Sequence, residues 1–375
     1  MRHRLVTLAA CLALLVGVVG CASPPPSPSP SLPADASQLM TKLNAAVSTG
    51  DQATFMELTS ADTAAGIRGW VWTNLGLLAQ ATFKAGEDDS LWVDWRWSGD
   101  VQAVSSQVGS ISCADNGCQV ADLEPQPGIP APIWLVQPLQ VLGDDAATVL
   151  AGTGISSGDA AAWVSAAQAA QQGVTSADLG DLGASWNGSL VVELPQDASA
   201  FAQLLGLSSS ADYASTGAVT RVEGPAADSS QDPVAHIVVN PQTTASLMPD
   251  EQKLLLTHEG VHVATAGVPV ASGATWVSEG LAESVAVAGS PATAASEQIL
   301  AKAACDGGLT PPTDTDFGGT DAAAQNMAYA VAQTLVGLVR SHLGGDAMTA
   351  ISQLWQGQSS PDVDLATWSQ VWCAG

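Results

Sequence analysis

Leu39, Leu43, Ala46 and Val47 fall at helical spacing, and the polar break Ser48-Thr49-Gly50-Asp51 divides residues 36–58 into two short helices. A third helix is predicted near 64–78. The apolar period then changes from 3.6 to 2. Residues 90–97 (SLWVDWRW) alternate, and 106–111 and 119–123 have the same strand character. Helices followed by an antiparallel sheet predict an α+β unit. Pro125–Pro132 (PQPGIPAP) marks a boundary. Beyond it, 133–151 reads as strands around a turn at Gly143-Asp144-Asp145, which either complete the first unit or open the second. Residues 158–172 form an Ala-rich helix, 189–194 a strand, 198–205 a helix, and 217–222 and 236–240 strands. The remainder reads as helical. One helix starts at Pro249-Asp250-Glu251, with proline early and acids in the first turn. Others cover 279–288, 291–304 and 321–343, the last with Met327, Val331, Leu335 and Leu338 on one side. Trp70, Trp72, Trp92, Trp95 and Trp97 cluster in the first unit, where a Trp group is expected to be core. The fold class is therefore α+β, with a small α+β domain at 36–130 and a larger one at 131–375.

The first 35 residues are not fold. Arg2, His3 and Arg4 precede the apolar run 5–20, which is short for a membrane span. The run ends in Val18-Val19-Gly20-Cys21, which resembles a bacterial lipobox. Residues 1–21 are expected to be a lipoprotein signal, with Cys21 the lipidated N-terminus. Residues 22–35 are a Pro/Ser-rich linker holding the globular part off the membrane. The protein is thus expected on the extracytoplasmic face of a cell membrane, joined to it through a lipid anchor. The formal net charge is −26, and more negative once Arg2 and Arg4 leave with the signal. Such a polyanion repels nucleic acid, which is excluded as a partner. Cys113, Cys118, Cys305 and Cys373 remain, an even number in an exported chain, and four cysteines allow three pairings. Cys113 and Cys118 bracket an Asn-Gly turn signal at Asn116-Gly117, which favours local pairing. Cys305–Cys373 would then tie the C-terminal end back.

The chemistry is concentrated in 254–283. His258-Glu259-Gly260-Val261-His262 matches H-E-x-x-H, which on a helix stacks two imidazoles one turn apart with a carboxylate beside them. Trp276-Val277-Ser278-Glu279-Gly280-Leu281-Ala282-Glu283 follows, with Glu279 and Glu283 also four apart and Ser278 placed as a helix cap. Two His and one carboxylate with a free position is a catalytic zinc arrangement.

These two segments resemble the gluzincin metallopeptidases, in particular the peptidase MA-like domains of secreted bacterial proteins. The resemblance implies a zincin-like fold, Zn2+ held by His258, His262 and Glu279, Glu259 as general base, and Glu283 supporting a ligand His. It further implies that the strand upstream of the motif, 236–240, lies at the sheet edge and pairs with an extended peptide or protein substrate. Tyr329 is the candidate oxyanion donor, while His236 is expected on the surface and His342 at a helix dipole. A G-x-M-E-N segment is absent, which argues for an endopeptidase over an aminopeptidase. The first domain loosely resembles nuclear-transport-factor-like domains, on architecture only. The competing expectation is a catalytically silent surface binding or scaffold lipoprotein with a peptidase-like fold.

Overall fold

The computed structural model describes residues 34–60, 65–114, 117–224, 233–318 and 321–375. The signal, Cys21, nearly all of the Pro/Ser linker and Asn116 lie outside the described residues. Helices α1 (Ala34–Thr49), α2 (Gln52–Leu58) and α3 (Ala65–Leu75) precede strands β1 (Gln80–Ala85), β2 (Ser90–Arg96), β3 (Val104–Ala114) and β4 (Gly117–Leu123). The Ser48–Asp51 break works as read: Gly50 takes φ +71° and Asp51 caps α2 by accepting from the Thr54 amide. The four strands form an antiparallel sheet in the order β1-β2-β3-β4. The sequence pattern left β1 unread, because Gln80-Ala81-Thr82-Phe83-Lys84-Ala85 carries one large apolar residue, Phe83, on its inner face.

After the short helix α4 (Ile133–Val136) come β5 (Leu139–Asp144), β6 (Ala147–Gly152), α5 (Ser157–Thr175), β7 (Leu190–Leu194), α6 (Ala198–Leu204), β8 (Ala218–Val222) and β9 (Ala235–Val239). These strands build a second, mixed sheet in the order β5-β6-β7-β9-β8. The chain finishes in helices α7 (Pro241–Thr244), α8 (Pro249–Thr265), α9 (Thr275–Val287), α10 (Pro291–Ala303), α11 (Asp314–Phe317), α12 (Ala322–Leu343), α13 (Ala347–Trp355) and α14 (Leu365–Ala374). The α+β class holds. None of the described helices is long and apolar enough to cross a membrane.

The mixed sheet is buried on both faces, which is why Ser189–Leu194 reads as a nearly continuous apolar run. Its period-2 alternation sorts the side chains. Val149, Leu190, Val192, Ile237 and Val239 pack with α5 and α8. Leu150, Val191, Val219 and Val238 face the other way and join the core of the four-stranded sheet and α1–α3. A third core lies among α8, α9, α12 and α13. Helix α8 is consequently buried all round from Leu255 to Thr265.

Three expectations are corrected here. The strand at 236–240 is not an edge: β9 lies between β7 and β8, and β8 is the edge strand on that side, with β5 at the other. His236 is not on the surface but fully buried, because its position on β9 points it between the two sheets. Ser278 is not a cap: α9 starts at Thr275, one turn earlier than read, and Ser278 lies buried within it. Both disulfides are present as Cys113–Cys118 and Cys305–Cys373. The first joins directly opposed residues of β3 and β4. The second holds α14 against the end of α10, where Lys302 also donates to the Trp372 carbonyl and sits 4.3 Å from the Trp372 ring centre. His342 stacks flat on Trp368 at 4.3 Å, so α14 is also held to α12.

Candidate metal centre

Two helices supply the site. Helix α8 begins at Pro249, where the Glu251 carboxylate accepts from the free Met248 amide at 2.7 Å. Three turns later it presents His258 and His262 on one face, ring centres 4.9 Å apart. Helix α9 crosses beside it and presents Glu279 and Glu283. Gly260 and Gly280 permit the close packing. A Cβ on Gly280 would stand 2.4 Å from the Ala332 carbonyl oxygen of α12, and one on Gly260 would press Val174 of α5 at 3.0 Å.

Three atoms converge. Glu279 Oε2 lies 3.1 Å from His258 Nε2 and 3.4 Å from His262 Nε2, and the two Nε2 atoms are 3.2 Å apart. All three residues are buried. The other oxygen of Glu279, Oε1, is buried and has no hydrogen-bond partner. Two imidazole nitrogens and a buried carboxylate oxygen within this distance of one another are a donor set that fits a bound cation.

The supports are in place. His258 Nδ1 meets Glu283 Oε2 at 2.8 Å, which orients the ring with Nε2 toward Glu279. Ser278 Oγ is 3.4 Å from His262 Nδ1 and lies on the same side. Glu259 points to the sheet: Thr220 of β8 donates its hydroxyl to Glu259 Oε2 at 2.7 Å and also contacts the Glu259 carbonyl. Burial pushes the Glu259 carboxyl up, and the neighbouring His residues and Thr220 only partly oppose it. Burial also acts upward on Glu279, but His262 and His258 outweigh it and hold the carboxyl down at about 2. For His258, burial acts downward, but the hydrogen bonds to Glu279 and Glu283 leave it well above its ordinary value. Behind Glu283 stands Glu297 of α10. Burial and the Glu283 charge push its carboxyl up to about 10, so it holds a proton and shares a hydrogen bond with Glu283. Tyr329 of α12 is buried with its ring edge-on to His258, centres 5.8 Å apart, and against Phe317 of α11 at 5.2 Å.

The residues singled out in the sequence thus separate cleanly. His258, His262, Glu279 and Glu283 form one contiguous cluster, with Glu259 and Tyr329 beside it. Thr220 and Glu297 had no sequence signal. Each lies on a separate element, and only packing brings it to the motif.

A second buried His/carboxylate group lies between the two sheets. His236 Nε2 is 2.9 Å from Asp100 and its Nδ1 is 3.1 Å from Glu193 and 3.2 Å from Glu223. Here a cation is already present. Arg221 lies 3.2 Å from Glu193 and 2.5 Å from Glu223, and donates on to the carbonyls of Ala131 and Leu204. Glu193 and Glu223 are therefore already paired with Arg221 and His236, and Asp100 with His236. Of these two groups among the described residues, the α8–α9 cluster alone keeps an unmet ligand atom.

No protein-family model matches the chain, and neither a curated protein nor a solved structure is similar to it.

Proposed function

We propose that the chain is an extracytoplasmic zinc metallopeptidase that hydrolyses internal peptide bonds. The convergence of His258 Nε2, His262 Nε2 and Glu279 Oε2 carries the reading. Their separations of 3.1–3.4 Å match the edge of a tetrahedron with zinc–nitrogen and zinc–oxygen bonds of about 2.0–2.1 Å, which is roughly 3.3 Å. Those three residues would hold the ion, and zinc, when bound, supplies Lewis acidity toward a carbonyl and a water of lowered pKa. The chain's own groups do the rest. Glu259 takes the proton of the attacking water and returns it to the leaving amine. Its raised carboxyl suits that shuttle, since a base poised nearer neutrality both accepts and gives up the proton. Thr220 fixes the carboxylate by occupying Oε2. Glu283 fixes the His258 tautomer. Tyr329, packed edge-on to His258, is the candidate donor to the developing oxyanion.

Substrate is held at β8 rather than β9. The pairs Gly217–Asn240 and Glu223–Val234 are hydrogen-bonded, with amides donating at 2.9 and 2.8 Å. By the alternation of an antiparallel ladder, Ala218, Thr220 and Val222 then turn their own N–H and C=O groups outward. Among the described residues no strand pairs with that side. An extended peptide added there passes Thr220, and so Glu259. By the same reading the fold is zincin-like, its N-terminal unit is of the nuclear-transport-factor-like kind, and acylated Cys21 anchors the protein at the membrane.

The near-complete burial of His258, Glu259 and Glu279 favours a second reading, a surface protein that retains a metal for structure and binds peptides without cutting them. One comparison separates the two. The protein purified without added metal should contain about one zinc per chain, Glu279→Ala should lose it, and Glu259→Ala should keep it while losing peptide hydrolysis. Zinc with no hydrolysis in the unmodified protein selects the second reading. Hydrolysis that survives Glu259→Ala removes Glu259 from its role.

A further inference from the structure

A small pocket opens directly beside the candidate centre. Thr220 and His262 form its inner wall, and Val222, Ala266, Val268, Val270 and Trp355 much of the rest. Apart from His262, no ionisable side chain among the described residues lines it. Its far wall is rigid: Trp355 is buried and donates its indole N–H to the Val268 carbonyl at 3.0 Å, and the Ala271 amide donates to the Trp355 carbonyl at 2.9 Å.

We infer that this pocket selects an uncharged apolar side chain on the residue that contributes the scissile carbonyl. The inference rests on the peptidase reading and adds a direction to it. Thr220 marks the reaction position on β8, because its hydroxyl holds Glu259. The pocket extends from Thr220 toward Val222, that is, toward the C-terminal end of β8. A peptide that pairs antiparallel with β8, the arrangement with the stronger ladder, runs the opposite way. Its residues near Val222 therefore precede those at Thr220. The side chain that enters the pocket lies on the N-terminal side of the cut and remains on the new carboxyl terminus. An Asp, Glu, Lys or Arg side chain would lose hydration against a mainly apolar lining whose one ionisable group among the described residues, His262, is engaged at the centre, which costs more than an apolar contact returns. Thr220, Thr265 and Ser278 are the uncharged polar residues of the lining and most of the rest is apolar, so a larger apolar side chain covers more of the wall than Gly or Ala does.

The test is cleavage-site mapping with the zinc-loaded full-length protein on a peptide library, reading both new termini by mass spectrometry. The expected result is Leu, Met or Phe at the new carboxyl terminus, favoured over Gly or Asp by roughly tenfold or more in kcat/KM, as one well-filled apolar pocket typically gives. Ala266→Phe fills the pocket and should cut that ratio about tenfold in favour of Gly and Ala. Val270→Ala enlarges it and should move the preference toward Phe, which keeps the question answerable where Ala266→Phe does not fold. Selectivity at the new amino terminus instead, or cleavage with no side-chain preference, overturns the inference and leaves the peptidase reading standing. Failure of the zinc-loaded protein to cut any member of the library overturns both.

Discussion

Single side chains divide by what they would do to metal and to proton traffic. Glu283 meets the centre through His258 Nδ1, the nitrogen that does not ligate, so Glu283→Gln should keep the fold and weaken zinc roughly 10–100-fold, as losing an orienting carboxylate generally does. Competition with a chelator of known affinity would measure it, and unchanged affinity would remove Glu283 from the centre. His236 makes a prediction of a different kind. Burial pushes this imidazole down, but Asp100, Glu223 and Glu193 more than reverse that and hold it well above its ordinary 6.5, although Arg221 pairs with two of the same carboxylates. The folded protein therefore binds the His236 proton more tightly than the unfolded chain does. This stability is fully present below about pH 6.5 and is lost as pH rises through the folded-state value. Urea unfolding of the wild type should show stability falling by up to about 1.4 kcal/mol per pH unit above neutrality from this group. His236→Gln should remove that slope, and parallel slopes in the two proteins would show that His236 is neutral when folded.

At the scale of elements, the site is a matter of how close α9 comes to α12 and of which strand is exposed. Gly280 sits against the Ala332 carbonyl, where a methyl group has no room and the obstacle is backbone. Gly280→Ala should push α9 outward, carrying Glu279 and Glu283 with it. We expect a loss of about 1–3 kcal/mol in stability, the usual cost of overpacking, together with weakened metal binding. Thermal melts with and without zinc check both, and an unperturbed melt would show that the helices can part without cost. The edge strand yields the complementary test. Val222→Pro removes one outward-facing N–H from β8 without touching a ligand residue, since position 222 turns its amide away from β9. Zinc content should be retained while KM for peptides rises. Unchanged KM would place the substrate elsewhere.

Across the whole molecule, the two sheets depend on each other. Val191, Val219 and Val238 of the mixed sheet are buried in the same cluster as Trp95, Trp97 and Trp134. His236 of one sheet meets Asp100 from the β2–β3 connection of the other. A chain cut to residues 131–375 would expose that face, so it should be insoluble or lack a cooperative transition, which circular dichroism and sedimentation would show. The Cys305–Cys373 bond closes the α14 end over a sequence separation of 68. Its removal by Cys305→Ser and Cys373→Ser together should cost about 4 kcal/mol through the entropy returned to the unfolded chain. The expected loss is confined to stability, because neither cysteine touches the metal cluster.

What the sequence determined by itself was whatever is local and periodic. Spacing of four along a helix is enough to put His258 above His262 and Glu279 above Glu283, because the helix repeat is fixed by backbone geometry whatever surrounds it. The change of period at Ser90, the break at Gly50 and the start at Pro249 are legible for the same reason. Tertiary structure decided which strand became the edge, because strand order depends on pairing between distant segments and β9 enters between β7 and β8 without any mark in its own residues. It decided that His236 is buried, since a period-2 pattern says that alternate residues share a face but not whether a second sheet covers that face. It also brought Thr220 to Glu259 and Glu297 to Glu283 across 39 and 14 residues. Contacts of that range carry no periodic trace, and they set the proton affinities on which the proposed chemistry depends.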